Sequence, residues 1–327
     1  MDQAEIFYKI ADIFQPFYIE RANQLNKPGS NKLFAHYTSA ENAINIIRGK
    51  QLWMRDAGVM NDFSEIGHGQ AVLASILDAE RGAKARSILN HIDTGLGDRV
   101  LQAYKESLSH VRECVFMTSL CEHDAISFYG KLSMWRAYGG PVAGVALLFK
   151  NHLANLRPAS PLNLALLPVL YGSNYHYAPH FDKFLVSLET GIPFLKSVPA
   201  QLVEVAALAA VQFASYTIKH LAFAEEEEWR VIYRPYVAPS PIIPKRIETI
   251  AGIPQAVHPI PFHCPNGNPP ALVPELDLND ILESVLIGPC AYPETVFRAM
   301  TDVLTDAGLE NVRERVRYTN IPMRQIG

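Results

Sequence analysis

Long apolar runs are missing from this chain. The two longest, at 162–171 and 203–214, are too short or too interrupted to span a bilayer. Cysteine is scarce: Cys114, Cys121, Cys264 and Cys290 include no CxxC pair, which argues against a disulfide framework or a zinc knuckle. They read as buried thiols of a reducing cytosol. An excess of positive charge is missing too. With 29 Lys and Arg against 33 Asp and Glu, the net charge of -4 argues against a broadly basic surface for nucleic acid, leaving only a local groove. Phosphate-cradling loops are absent. The run 139–144, Gly-Gly-Pro-Val-Ala-Gly, lacks GxGxxG spacing, and nothing matches GxxxxGK[ST] or the GxSxG elbow. The opening MDQAEIFYKIADIFQPFY has acids at positions 2 and 5 and no unbroken apolar core. It reads as neither a secretory signal nor a transit peptide. What remains is 327 residues, 49% apolar and 19% charged, the composition of a globular protein expected in the cytoplasm.

Periodicity then organises the chain. Residues 1–30 read as a helical extension interrupted at Pro16, with a turn at 27–30. A short strand at 33–37 leads into a helix capped by Thr38 or Ser39 and closed by Gly49. A second strand covers 52–54. Helices fill 64–110 and end at a buried strand, 114–120. A helix over 127–138 is broken by Gly139-Gly140-Pro141, and 142–149 is the best strand in the chain. Another strand covers 166–171, with helices over 179–188 and 199–221. Proline is dense from 235 to 280, which reads as an irregular excursion with short edge strands. A strand at 284–288, a helix at 294–307 and a strand at 312–318 complete the chain. Strands and helices mix without regular βαβ alternation, so the fold class is α+β in a single domain, 1–327.

The most informative stretch is Ala224-Glu225-Glu226-Glu227-Glu228-Trp229-Arg230, which runs straight into Val231-Ile232-Tyr233. If extended geometry begins at Glu226, period two puts Glu226, Glu228 and Arg230 on one face. Two carboxylates and a guanidinium there can polarise a sugar hydroxyl and hold a charged substrate. A solvated surface cluster is the alternative. His36 ends a strand before a capped helix, where a neutral imidazole can bond a ribose hydroxyl. Thr38 reads either as a cap or as a second hydroxyl contact. Ser119 follows a buried strand, and Trp135 and Tyr138 lie where a ring can stack on a flat heteroaromatic ligand, with core packing the plainer role for Trp135. Asn61, Asp62 and Glu65 read as a helix cap. Metal candidates are weak: Pro179 spoils the helical face shared by His176 and His180, and His258, His263 and Cys264 lack a second pair. No metal is expected.

Several blocks in order resemble a bacterial family, the domain-of-unknown-function 2971 group. They are Phe34-Ala35-His36-Tyr37-Thr38-Ser39, Asn61-Asp62-Phe63-Ser64-Glu65, Ser119-Leu120, and Met134-Trp135-Arg136-Ala137-Tyr138-Gly139. Gly144-Val145-Ala146-Leu147-Leu148-Phe149, Glu226-Glu227-Glu228-Trp229-Arg230, Ile287-Gly288-Pro289 and Ile321-Pro322-Met323-Arg324 continue the series. A more distant similarity, a His-x-Thr strand end followed by a helix and a late acidic strand, is to the ADP-ribosyltransferase superfamily. That resemblance implies a split, mixed or antiparallel sheet core with surrounding helices, and NAD as substrate. It implies that His36 binds the NAD ribose, that Tyr138 or Tyr129 stacks on nicotinamide, and that Glu228 stabilises the ribosyl cation. Glu226 would complete a Glu-x-Glu pair, with Thr38, Ser119, Trp135 and Arg230 lining the cofactor site. The acceptor of ADP-ribose (protein, nucleic acid, small molecule or water) is open. A role in bacterial defence or a toxin–antitoxin pair, with an antitoxin or regulatory partner, is the implied setting. The clear second-motif Ser-Thr-Ser of that superfamily is absent. Two rivals stand beside this expectation: a non-catalytic nucleotide- or protein-binding module, and a Mg-dependent nuclease using Asp62, Glu65, Glu226 and Glu228. Arg324 reads as a phosphate contact or as part of a docked tail.

Overall fold

A computed structural model of the chain describes residues 2–59, 63–108, 114–140, 142–151, 160–263 and 276–322. Asn61, Asp62, Cys264, Met323 and Arg324 lie outside the described residues, as does the side chain of Glu65. The architecture is α+β: among the described residues, a ten-stranded mixed sheet and a two-stranded parallel sheet, Leu170–Tyr171 with Ile218–Lys219, have helices around them. In chain order the elements begin with α1 (Gln3–Phe14), α2 (Pro16–Leu25), β1 (Lys32–Ser39), α3 (Ala40–Gly49) and β2 (Gln51–Asp56). Next come α4 (Phe63–Leu77), α5 (Glu80–Ile92), α6 (Leu96–Ser107), β3 (Phe116–Asp124), α7 (Leu132–Tyr138) and β4 (Ala143–Lys150). The middle of the chain adds β5 (Leu164–Pro168), β6 (Leu170–Tyr171), α8 (Asn174–Leu195), α9 (Ala200–Thr217), β7 (Ile218–Lys219) and β8 (Glu228–Tyr233). The last elements are β9 (Arg246–Ile250), β10 (Ile253–Pro261), α10 (Leu278–Ile281), β11 (Leu282–Cys290), α11 (Pro293–Asp306), α12 (Val312–Arg315) and β12 (Val316–Tyr318).

Strand order along the larger sheet is β12-β11-β4-β1-β3-β2-β10-β9, with β8 and then β5 leaving the path from β3. The β11–β12 pair is parallel and the other ladders of this sheet are antiparallel. β3 organises the centre. Along one edge it pairs β8 from Phe116 to Cys121. Its other edge is shared: β1 takes Cys121 to Asp124, and β2 takes Phe116 and Met117. Between them, at residues 118–120, neither β1 nor β2 pairs with β3. Past Ala35, β1 swings away to follow β4 through Ser39. The sheet is therefore split beside the middle of β3.

Apolar packing fixes this frame from several directions. Phe34, Leu147, Phe149, Trp229, Val231 and Ile287 belong to a large cluster reinforced by α3 and α11. Ala35, Tyr37, Cys121, Met134, Trp135 and Ala146 form a second cluster under α7. A separate helical cluster joins Ile10, Phe14, Leu73, Leu89, Val100, Leu188 and Val203. The N-terminal segment is two full helices: α1 packs into that layer, while α2 buries Tyr18 and Leu25 in two other apolar clusters. Pro16 starts the second of them at a first-turn position, where a missing N–H costs nothing.

Several boundaries differ from the sequence reading. α8 begins at Asn174 and runs through Pro179, because buried Phe181, Leu185 and Leu188 hold it in place. The expected helix from 127 starts only at Leu132, since Gly130 takes a left-handed φ of 68°. Lys50, not Gly49, is the left-handed residue that ends α3. Residues 312–315 form a helical turn, and the last strand is only Val316–Tyr318. Within the proline-rich stretch, β10 is a nine-residue strand. It pairs β9 in its first half and β2 in its second. Most of its length thus has one open edge, where a missing proline N–H is tolerated. Among the described residues no helix is long and apolar enough to cross a membrane.

Candidate functional site

The acidic run does not enter β8 as a straight strand. Residues Leu221–Glu226 form a 3-10 turn, Glu227 takes a left-handed φ of 45°, and extended geometry starts at Glu228. The expected period-two alignment from Glu226 is therefore corrected: Glu226 and Glu228 lie on either side of a backbone reversal. They still converge, because a cation joins them. The Lys219 Nζ donates to Glu226 Oε2 at 2.7 Å and to Glu228 Oε2 at 3.1 Å.

Arg230 completes the cluster. Its Nε donates to Glu228 Oε1 at 2.9 Å, its Nη2 to Oε2 at 3.2 Å, and its Nη1 to the Tyr216 carbonyl at 2.7 Å. Ser119 stands opposite Arg230 and Cys121 opposite Glu228 in the β3–β8 ladder, so all four share a sheet face. The Ser119 hydroxyl donates to Glu228 Oε1 at 2.5 Å. Glu228 is 4% exposed and Lys219 2%. Burial by itself pulls the Glu228 carboxyl up, but Arg230, then Lys219 and Ser119, overcome it and hold the pKa at about 2. Glu228 is an anion at any physiological pH.

The backbone around the pair is tied as firmly. The Tyr171 hydroxyl accepts from the Glu228 N–H at 2.7 Å, and burial pushes that phenol far above its ordinary range. Lys131 Nζ donates to the Glu226 carbonyl and to Glu227 Oε2, each at 2.8 Å. The Lys131 N–H in turn bonds the Tyr37 hydroxyl at 3.0 Å. Burial raises the Cys121 thiol well above its usual range, so it stays protonated beside the cluster.

His36 approaches the same place from β1. Its Nδ1 donates to the Ser119 carbonyl at 3.1 Å, across the gap left where β1 parts from β3. Burial lowers its pKa and the bond to Ser119 only partly offsets this, so the ring is neutral near pH 7. With Nδ1 carrying the proton, Nε2 is the acceptor. Ser119 thus joins the two sequence-derived residues, its carbonyl on His36 and its hydroxyl on Glu228. By strand alternation His36 leaves β1 on the face opposite Ala35, while Glu228 lies on the face of Cys121, Ala35's partner. Their bonds to Ser119 therefore come from opposite faces of the sheet, His36 at the carbonyl and Glu228 at the hydroxyl.

The other expected residues are distributed more widely. Thr38 is buried in the β1–β4 ladder opposite Val145, and helix capping falls to Ser39, whose hydroxyl accepts from the Asn42 N–H. Trp135 is buried, edge-on to Tyr37 at 4.7 Å, and its Nε1 donates to the Tyr129 carbonyl at 2.7 Å. It packs against Gly144 and Gly288, so its plainer role as core is the one the structure gives. Tyr138 and Tyr129 are exposed at the two ends of the α7 segment. Tyr138 precedes Gly139 and Gly140, and Gly140 lies against Ser39 at the end of β1. His258 is a core histidine, wedged edge-on between Phe116 at 4.3 Å and Tyr233 at 5.1 Å. For the nuclease constellation, Glu226 and Glu228 already face an ammonium, and Glu228 a guanidinium as well, which repel a divalent cation.

Sequence reasoning missed Lys219, Tyr171 and Lys131. One signal was available for the first: two glutamates entering a strand as apolar as β8 demand buried counter-ions. Lys219 stands at the end of the fully buried run Ala214-Ser215-Tyr216-Thr217-Ile218.

No curated protein and no solved structure matches the chain. The segment from α7 into β8, residues 134–231, which carries Lys219, Glu226, Glu228 and Arg230 but neither His36 nor Ser119, matches the model of the family described as Protein of unknown function (DUF2971).

Proposed function

We propose that this chain binds NAD at the split beside β3, cleaves the nicotinamide–ribose bond and passes ADP-ribose to an acceptor. The observation that carries the reading is that Ser119, beside the split, bonds His36 through its carbonyl and Glu228 through its hydroxyl. A split sheet with Glu228 opening a late strand and Glu226 on the turn just before it also supports an ADP-ribosyltransferase-like core. His36 Nε2 accepts a ribose hydroxyl. As the C1′–N bond breaks, its electron pair leaves with nicotinamide and positive charge grows on the ribose. An ionised, preorganised carboxylate stabilises that charge where water is scarce. Glu228 is such a group, and Glu226 takes the proton released when the acceptor attacks C1′. A ring of Tyr138 or Tyr129 stacks on nicotinamide, and Arg230 holds the charged ligand.

A second reading has its own support: the same site binds a nucleotide without cleaving it. Both Glu228 oxygens already accept hydrogen bonds, four in all, and the residue is 4% exposed. NAD consumption and nicotinamide release by purified protein, with and without cell lysate, separate the two. Release that vanishes in Glu228→Gln and His36→Ala supports cleavage, and dependence on lysate identifies an acceptor requirement. NAD binding without release supports the binding module, and neither binding nor release defeats both. A toxin role adds growth arrest on expression that Glu228→Gln relieves.

A further inference from the structure

We infer that Lys219 is the positioning residue of this site, holding Glu226 and Glu228 side by side and ionised so that one ribose can meet both. The inference rests on the NAD reading above. Its basis is geometric. Glu227 reverses the backbone between the two glutamates, so strand periodicity cannot align them. One ammonium does. Its contacts of 2.7 and 3.1 Å place the two bonded carboxylate oxygens within about 6 Å of each other.

The ammonium itself is held by built structure. Lys219 follows α9 in β7, which pairs in parallel with β6. The Gly172 N–H donates to the Lys219 carbonyl at 2.8 Å. Its Nζ lies 4.7 Å from the centre of the Phe223 ring, on the 3-10 turn that carries Glu226. The cation thus comes from a different element than either carboxylate and clamps the turn to the strand. Without the ammonium, the Arg230 guanidinium, bonded to Glu228 and not shared with Glu226 as Lys219 is, balances only one of two carboxylates in a dry site, and one of them takes up a proton. Removing the ammonium therefore changes ionisation as well as spacing.

The test compares Lys219→Met, Lys219→Gln and Lys219→Arg in the full chain by carbon-13 NMR titration of glutamate carboxyls, NAD binding and nicotinamide release against pH. In Met and Gln, one carboxyl of the pair should bind protons at least about tenfold more tightly, a shift of one pH unit. Release should fall about 100-fold with a new acid limb while NAD affinity changes less than about threefold, and Arg should restore both titration and turnover. Unchanged carboxyl titrations in Met or Gln would overturn the inference, as would an Arg variant no better than Met. If Met does not fold, Gln carries the comparison. If wild-type protein releases no nicotinamide, the NAD reading falls, and the carboxyl titration still decides what Lys219 does.

Discussion

Replacing Glu228 by Gln keeps the side chain's shape and removes its charge, so it isolates the worth of the buried ion pairs. Two routes give the magnitude. The carboxyl is held at about 2 against 4.5 for a free glutamate, and that difference corresponds to about 3 kcal/mol of folding stability at pH 7. Independently, breaking a buried pair by removing one partner costs about 3–5 kcal/mol, because the remaining charges are left uncompensated. Here Lys219 and Arg230 would share Glu226 as the one carboxylate left in the cluster, bonded through Lys219, and the amide NH2 of Gln would face one of the two cations. The sign with pH follows from the depressed pKa. The stabilisation is complete above about 4.5 and is lost as pH falls toward about 2, where the folded protein must also take up the proton. Urea denaturation of both proteins at pH 7 and at intervals down to 3.5 should show a gap of about 3 kcal/mol that narrows below 4.5. A gap under about 1 kcal/mol at pH 7, or one that stays constant with pH, would refute the reasoning. As a control, Asp182→Asn breaks the exposed Arg81–Asp182 pair and should leave the midpoint unchanged.

Two further outcomes follow from geometry elsewhere. Burial keeps His36 neutral below its ordinary 6.5, so the unfolded chain binds the extra proton and wild-type stability declines as pH falls below about 6.5. His36→Gln should flatten the loss of urea midpoint between pH 7.5 and 5; an unchanged slope would show that the ring does not resist protonation. Gly69→Ala would set a Cβ 2.3 Å from the Ser215 carbonyl, rigid backbone that cannot yield. α4 must move off α9, and the thermal midpoint should drop with a loss of about 1–3 kcal/mol. An unaffected midpoint would refute the close seating of Gly69 against Ser215.

The sequence made the strands around the split legible and left the charge compensation unread. Leu33 to Tyr37 and Val142 to Phe149 are apolar enough to announce buried strands, and β1 and β4 lie where that pattern puts them. His36 is legible because it ends an apolar strand just before a capped helix, and the acidic run because it leads straight into β-branched and aromatic residues. Lys219 is not, because its partners are seven and nine residues away across a turn, and no periodicity links them. Glu227's left-handed backbone was hidden for the same reason: a non-glycine residue gives no local sign that tertiary contacts will force it there. Lys131 supplies some of those contacts, by anchoring the Glu226 carbonyl and the Glu227 side chain together. Pro179 and the prolines of β10 misled in the opposite direction. Their local penalties are real, but the packing of α8 and the open edges of β10 absorb them.

The cost of the cluster bears on its purpose. A buried ion pair is seldom more stabilising than apolar residues of the same volume, so stability alone does not account for two acids and two bases among Trp229, Val231 and Ile232. What the charges provide is a fixed field at the point where β1 leaves β3. That field is internally balanced, with Lys219 and Arg230 against Glu226 and Glu228. On the NAD reading proposed above, a cationic ribosyl group would compete with ammonium and guanidinium for the carboxylates, and an anionic phosphate with the carboxylates for the cations. Because Glu228 already accepts four hydrogen bonds, any ligand that reaches it displaces one from Ser119, Arg230 or Lys219. Binding at this site is an exchange of partners. Of those donors, Lys219 also ties Glu228 to Glu226 on the exposed 3-10 turn, so a ligand that takes its place on Glu228 removes that tie.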